Sequence, residues 1–226
     1  MVIQHYPLKK FFFIILLLGF SLESKTLNVE DISFNVYRNG SKIGFHELKF
    51  SSNNKLLKAE INIKFEVTFL GFVVYDYNHQ NIENWKDGNL ISLKTQTDKN
   101  GENLFCNFQK NDRSSILNGT AGNFEIFENL IPTSYWNFRL VENSNFKKVI
   151  NTQDCSYINF KIENLGSETI YNNTINSTHY KLTGKESSGE EVNIDIWYDD
   201  RKNWVKMIFI KDGSEIEYFL RDYDKN

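Results

Sequence analysis

From Val192 to Leu220 the chain reads "VNIDIWYDDRKNWVKMIFIKDGSEIEYFL", with apolar side chains in steps of two, broken at Asp199–Asn203 and at Asp212-Gly213. A period of two puts successive side chains on opposite faces of a strand, and the two breaks carry the polar and glycine chemistry of tight turns. Three consecutive antiparallel strands are therefore expected here. In the middle strand Val205, Met207 and Phe209 are expected to face inward, because the opposite set, Trp204, Lys206, Ile208 and Ile210, contains a lysine.

The alternation extends over the chain. "ISFNVYR" is followed by Asn39-Gly40 and by "KIGFHELKF"; "LLKAEINIKFEVTFL" and "FVVYDYNHQNIENW" flank Gly71, read as a bend or bulge. "NLISLKTQT" follows Asp87-Gly88, "NLFCNFQ" follows Asn100-Gly101, and shorter strands are expected at "SSILN", "FEIFE", "KKVIN", "YINFKI" and "TIYNN", then at "THYKLTG". This makes about fourteen strands with a turn signal about every ten residues. The only alanines are Ala59 and Ala121, so the strongest helix former is nearly absent. A meander this long has to curl, because a flat sheet leaves open edges and a bare apolar face. The expected fold is all-β, an antiparallel meander curled into a barrel or half-barrel, with two stacked sheets as the other physical option. At most one or two short helices are expected; the candidate is "PTSYWNFRLVE", capped by Thr133 or Ser134.

At the N-terminus, Lys9 and Lys10 precede the ten-residue run "FFFIILLLGF", which is short for a membrane span and suits a secretory signal. Gly19 and Ser21 place a cut after Ser21, with Ser24 as a second choice and an uncleaved anchor as the alternative reading. No cysteine stands near the cut to carry a lipid. The expected organisation is a signal peptide over residues 1–21 and a single β-rich domain over residues 22–226, working in the periplasm or outside the cell without a stable membrane span. Removing residues 1–21 leaves 24 basic against 29 acidic residues and no basic stripe, which disfavours nucleic acid or an anionic membrane surface as a partner.

The segments "NGSKIGFHELKF", "YNHQNIENWKDGNLISLKTQTDKNG", "PTSYWN" and "THYKLTG…IDIWYDDRKNWVKMIF…DGSEIEYFL", in this order, resemble an uncharacterised group of exported proteobacterial proteins, the domain of unknown function 6134 type. The resemblance implies an exported β-rich domain, similar in outline to the curved sheets of lipoprotein carriers. It brings no established activity and no catalytic residue.

Direct reading of the chemistry leaves alternatives open. His46, His79 and His179 each stand in strand sequence; His79 and Glu83 share a strand face about 13 Å apart, too far for contact on a straight strand. Asp195 shares a side with Trp197, opposite Ile194 and Ile196, and is either a buried acid needing a partner or part of a solvated face. Asp199 and Asp200 read as turn formers. The sequence has no HxH, HExxH, GxSxG, phosphate loop or CxxC, and no metal or cofactor is expected. Cys106 and Cys155 are either bridged, as pairs in exported chains often are, or kept apart by lying on strands that are not neighbours.

The large polar-tipped rings, Trp85, Trp136, Trp197 and Trp204 with Tyr75, Tyr77, Tyr135 and Tyr198, suit an amphipathic cavity wall and equally an ordinary thick core. If the curved sheet is incompletely filled, Val205, Met207, Phe209 and Trp197 should line a pocket with Tyr75, Tyr77 and Trp136. Three functions fit: a carrier or binding module for an apolar small molecule or lipid, which is the leading expectation; an enzyme of unmarked type using His46, His79, Glu83, His179 or Asp195; or an envelope assembly factor working through surface contacts. The oligomeric state is not legible.

Overall fold

The computed structural model describes residues 29–53 and 55–223. The signal segment expected over residues 1–21 lies outside the described residues. Fifteen strands run β1 (Ile32–Arg38), β2 (Ser41–Asn53), β3 (Leu56–Phe69), β4 (Phe72–Lys86), β5 (Asn89–Lys99), β6 (Glu102–Lys110), β7 (Ser115–Gly119), β8 (Gly122–Ile126), β9 (Ile131–Pro132), β10 (Phe146–Ile150), β11 (Tyr157–Ile170), β12 (Ile175–Lys185), β13 (Glu191–Asp199), β14 (Trp204–Lys211) and β15 (Ser214–Leu220). Two single-turn 3₁₀ helices, Phe138–Leu140 and Arg221–Tyr223, complete the described residues. The all-β expectation holds.

All strands belong to one sheet, ordered β8-β7-β6-β5-β4-β3-β2-β1-β15-β14-β13-β12-β11-β10-β9. Its middle is where the first and last strands pair, Phe34 opposite Leu220 and Val36 opposite Tyr218. From there the chain winds outward through β2 to β8, crosses to the opposite edge at β9 and winds back. The crossing decides the shape. From Ile126 to Ile131 the chain reaches at most about 18 Å, whereas fifteen strands laid flat would be roughly 67 Å wide. The sheet must therefore curl until its two edges meet, although no ladder joins β8 to β9.

The seam is held by other means. Cys106 of β6 is bonded to Cys155, in the turn that follows β10, with their Cα atoms 4.9 Å apart. Ala121 N donates to Asp154 O at 2.9 Å, and Thr95 Oγ1 donates to Thr152 O at 2.6 Å. A side chain at Gly119 would meet Asp154 O at 2.4 Å and the Cys155 Cβ at 2.5 Å, so only glycine lets the turn lie against β7.

Local departures from expectation have local causes. Gly71 is neither bend nor bulge: Leu70 and Gly71, with φ of 49° and 81°, form the two-residue turn of the β3–β4 hairpin. "TIYNN" is no separate strand, because β11 continues past a bulge at Asn164/Gly166 to Ile170 before turning at Tyr171–Asn173. The short helix is capped by Asn137, whose side chain accepts from Arg139 N, rather than by Thr133 or Ser134. Cys155 sits in a turn at φ 69°, not on a strand.

Inside the curl, the segment around Trp136 and Leu140 forms a plug touching both arms of the sheet. Trp136 packs on Phe50 of β2 and Trp85 of β4, at ring separations of 5.1 and 5.4 Å. Phe138 packs on Tyr198 of β13 at 5.2 Å, and the Tyr198 hydroxyl donates to Tyr135 O at 2.6 Å. Of the expected alternatives, the structure shows a curled, barrel-like meander that no ladder closes, wrapped around this plug. The plug fills only the end bounded by the β4–β5 and β13–β14 turns.

Candidate ligand-binding cavity

The unplugged end holds a cavity of about 570 Å³. Strand alternation builds most of its wall, and the bulge of β2 opposite Val36/Tyr37 adds Ile43. Ile43 and His46 come from β2, Ile63, Phe65 and Val67 from β3, Tyr75, Tyr77 and His79 from β4, Val192 and Ile194 from β13, Met207 and Phe209 from β14, and Ile216 and Tyr218 from β15. Cross-strand partners share a face, and His46, Ile63 and His79 lie in one row across β2, β3 and β4. Toward the plug the same strands carry Phe50, Trp85, Tyr198 and Trp204, so the two histidines mark the boundary between filled and open interior. Charged groups line the other end: Arg38, Lys99 and Lys211 beside Glu186, Glu190, Glu191 and Asp212.

The boundary is polar but uncharged. His46 and His79 are both 2% exposed. Burial lowers the His46 pKa to about 3, with the nearby His79 adding to the shift, and lowers His79 to about 4. Both rings are neutral at pH 7. His79 Nδ1 and Thr97 Oγ1 share a hydrogen bond at 2.7 Å. His46 is different: edges of Trp204 and Tyr218 surround it at 5.3 and 5.5 Å, and neither ring nitrogen has a hydrogen-bond partner. A neutral imidazole offers one donor and one acceptor, so the inner end of the cavity holds an unspent polar pair beside the apolar side chains of β3 and β14. Burial also raises the Tyr77 and Tyr218 hydroxyls, which stay protonated.

Sequence-based candidates divide between three places. Tyr75, Tyr77, Met207, Phe209, His46 and His79 line the cavity as a group. Glu83 and Trp136 do not. Glu83 is fully buried and accepts hydrogen bonds from Asn81 Nδ2 at 2.9 Å, Trp85 Nε1 at 2.9 Å and Trp136 Nε1 at 3.0 Å, so it anchors the plug. Burial nevertheless raises its pKa, against the lowering effect of these bonds.

Trp197, His179 and Asp195 lie together on the outer face, where the alternation of β13 sends them once Ile194 and Ile196 face in. His179 stacks on Trp197 at 4.1 Å and its Nε2 is 2.8 Å from Asp195 Oδ1, while Trp197 Nε1 donates to Glu168 Oε1 at 2.6 Å. Asp195 is thus a half-buried outer acid with a partner. Asp199 is the turn former expected, accepting from Arg201 N and Asn203 N.

The inward set of β14 needs one correction. A bulge lets Tyr198 pair with Trp204 while Trp197 pairs with Lys206. Val205 is the extra residue: it is buried but does not line the cavity, and Trp204 on its other side turns into the core at 0% exposure against Phe34. Met207 and Phe209 face inward as expected. The group that sequence reasoning missed is the hydrophobic wall from β2 and β3, Ile43, Ile63 and Phe65. Their alternation was legible, but nothing local distinguishes a residue facing a void from one facing other side chains.

The geometry defines a β half-barrel, antiparallel except where β9 runs parallel to β10, plugged at one end and hollow at the other. Residues 34–221 match the family of the domain of unknown function DUF6134, and the chain belongs to that family. The fold is similar to the crystal structure of a beta-barrel-like protein of the domain of unknown function DUF1849 from Brucella abortus, with a TM-score of 0.62 and 7% identity over 84% of this chain and 94% of that one. No curated protein matches the chain. Among the described residues no helix is long and apolar enough to cross a membrane.

Proposed function

We infer that the chain is an exported binding or carrier module that holds a lipid-like or other apolar molecule, without transforming it, in the hollow end of the half-barrel. The cavity carries this reading. Its 570 Å³ lie within the range of small-molecule sites, and β3, β14 and β15 give it an aliphatic and aromatic wall, with Thr133 and residues 151–153 polar on the seam side and charged groups at the end away from the plug. An apolar body placed there gains about 25 cal/mol per Å² removed from water. The unpartnered His46 at the inner end suits one neutral hydrogen-bonding group, such as a hydroxyl, ester or amide, and burial of both histidines disfavours a cationic floor that would select an ionised head. The catalytic alternative has less support, because Glu83 is bound up in the plug and His179 with Asp195 lies on the outer face.

Native mass spectrometry of the protein recovered from its export compartment tests the reading. An adduct of one small molecule per chain, released into organic solvent and rebinding on mixing, is expected. A bare chain that takes up none of a panel of fatty alcohols, monoacylglycerols and isoprenoids would reject it.

A further inference from the structure

At the hollow end one element outruns all others. The ladder from β2 to β3 ends at Gly44 opposite Phe65, and the ladder from β4 to β5 ends at Tyr77 opposite Lys99. Beyond these points β3 and β4 pair only with each other, through Val67–Tyr75, Thr68–Val73 and Phe69–Phe72, to the turn at Leu70-Gly71. The result is a two-stranded finger standing roughly 17 Å past the ladders of its neighbours. Its tip is bare and apolar: Phe69 is 64% exposed, Leu70 81%, Phe72 75%, Val73 55% and Val74 51%. From Val67 to Tyr75 the chain carries no charge, and the first charges inward are the cross-strand acids Glu66 and Asp76.

We propose that this finger is a bilayer-docking element, inserting Phe69, Leu70, Phe72 and Val73 into the acyl–headgroup boundary and setting the cavity mouth against the membrane. Three observations select a lipid surface as the occupant. First, the apolar side chains occupy the apex and both faces of the finger, Phe69 and Phe72 on one and Val73 on the other, which suits immersion in an apolar medium better than one flat partner surface. Second, Val67, Val74 and Tyr75 also line the cavity, so apolar surface runs without interruption from tip to interior. Third, the outer backbone edges of a free hairpin carry unpaired amides, which limits entry to a shallow, interfacial depth of about 5–10 Å. The acidic pair then rests near the headgroups, so neutral bilayers are favoured over anionic ones.

Docking is independent of whether the cavity holds a ligand, although it gives an apolar cargo a dry route, and the two are measured separately. The test is flotation of the whole chain with phosphatidylcholine vesicles, parent against the double variant Phe69→Thr with Phe72→Thr, which keeps strand-forming residues at exposed positions. The parent is expected to float, with partitioning little changed between about 50 and 500 mM salt because the contact is apolar, and the variant to partition about tenfold or more weakly at an unchanged melting temperature. Added Val73→Trp fluorescence should be quenched by lipids brominated near the headgroup. Absence of parent flotation overturns the proposal, as does equal flotation of both proteins, which would assign lipid contact elsewhere, such as the Phe11–Phe20 run. Self-association abolished by the double variant, without flotation, would instead make a second copy the occupant. Vesicle binding that survives while the cavity takes up no apolar ligand would sink the carrier reading and leave this one standing.

Discussion

Glu83 ties the plug to the sheet with a carboxylate that burial disfavours. Its three donors, Asn81 Nδ2 and the indoles of Trp85 and Trp136, have no water to turn to if the acceptor is removed. Glu83→Leu should therefore cost roughly 3–5 kcal/mol in chemical denaturation, and Trp136→Phe about 1–2 kcal/mol, since one donor is lost while Glu83 Oε2 still accepts from Trp85 Nε1. A loss below about 1 kcal/mol for Glu83→Leu would show that the plug stands without it. The cavity histidines make a prediction about pH. Their folded pKa values, about 3 for His46 and about 4 for His79, lie below the ordinary 6.5, so the unfolded chain binds protons that the fold refuses. Their stabilising contribution is complete above pH 6.5 and is lost as pH falls toward the folded values. Between about pH 6 and 4 the parent should lose roughly 1 kcal/mol per pH unit more than His46→Phe, whose ring fits the same aromatic surroundings. Parallel stability curves would contradict the burial of a neutral His46.

Among elements, hairpins were the most legible in sequence. Asn39-Gly40, Asp87-Gly88, Asn100-Gly101 and Asp212-Gly213 all adopt positive φ at both residues, the conformation that Asn, Asp and Gly tolerate best. Leu70-Gly71 makes the same turn, but leucine carries no such preference, so from sequence the finger's apex reads as a bend or bulge. The β14 bulge is hidden for a related reason: an inserted residue leaves no mark in a run of apolar residues, so strict alternation turns Trp204 away from the core that it in fact enters. The seam was least legible, because Cys106 and Cys155 meet only after the whole sheet has curled. Replacing both by serine opens a 49-residue crosslink and should cost about 4 kcal/mol in the chain-entropy model. Hydrogen exchange should quicken first in β6–β8 and residues 151–156, leaving β1, β2 and β15 protected. Uniform acceleration across the sheet would show that the seam has no independent stability.

At the scale of the whole molecule, the meander followed from alternation and turns, whereas the pairing of β1 with β15 and the four-residue crossing from β8 to β9 are relations between distant segments that local periodicity does not encode. Those two relations curl the sheet, and the plug then decides how much of the interior stays open. Aromatic content alone could not separate core from cavity wall. The structure shows both outcomes in one set of residues: Trp85, Trp136, Tyr198 and Trp204 fill the plugged end, and Tyr75, Tyr77, Phe209 and Tyr218 face the hollow one. The central claim is that this hollow takes up an apolar guest, and fluorescence titration with an environment-sensitive apolar dye measures it, comparing the parent with Ile63→Trp, which fills the cavity between the two histidines. Saturable binding at one dye per chain, weakened about tenfold or more by Ile63→Trp at an unchanged melting temperature, is the predicted result; no saturable binding by the parent, or equal binding by both proteins, would contradict it.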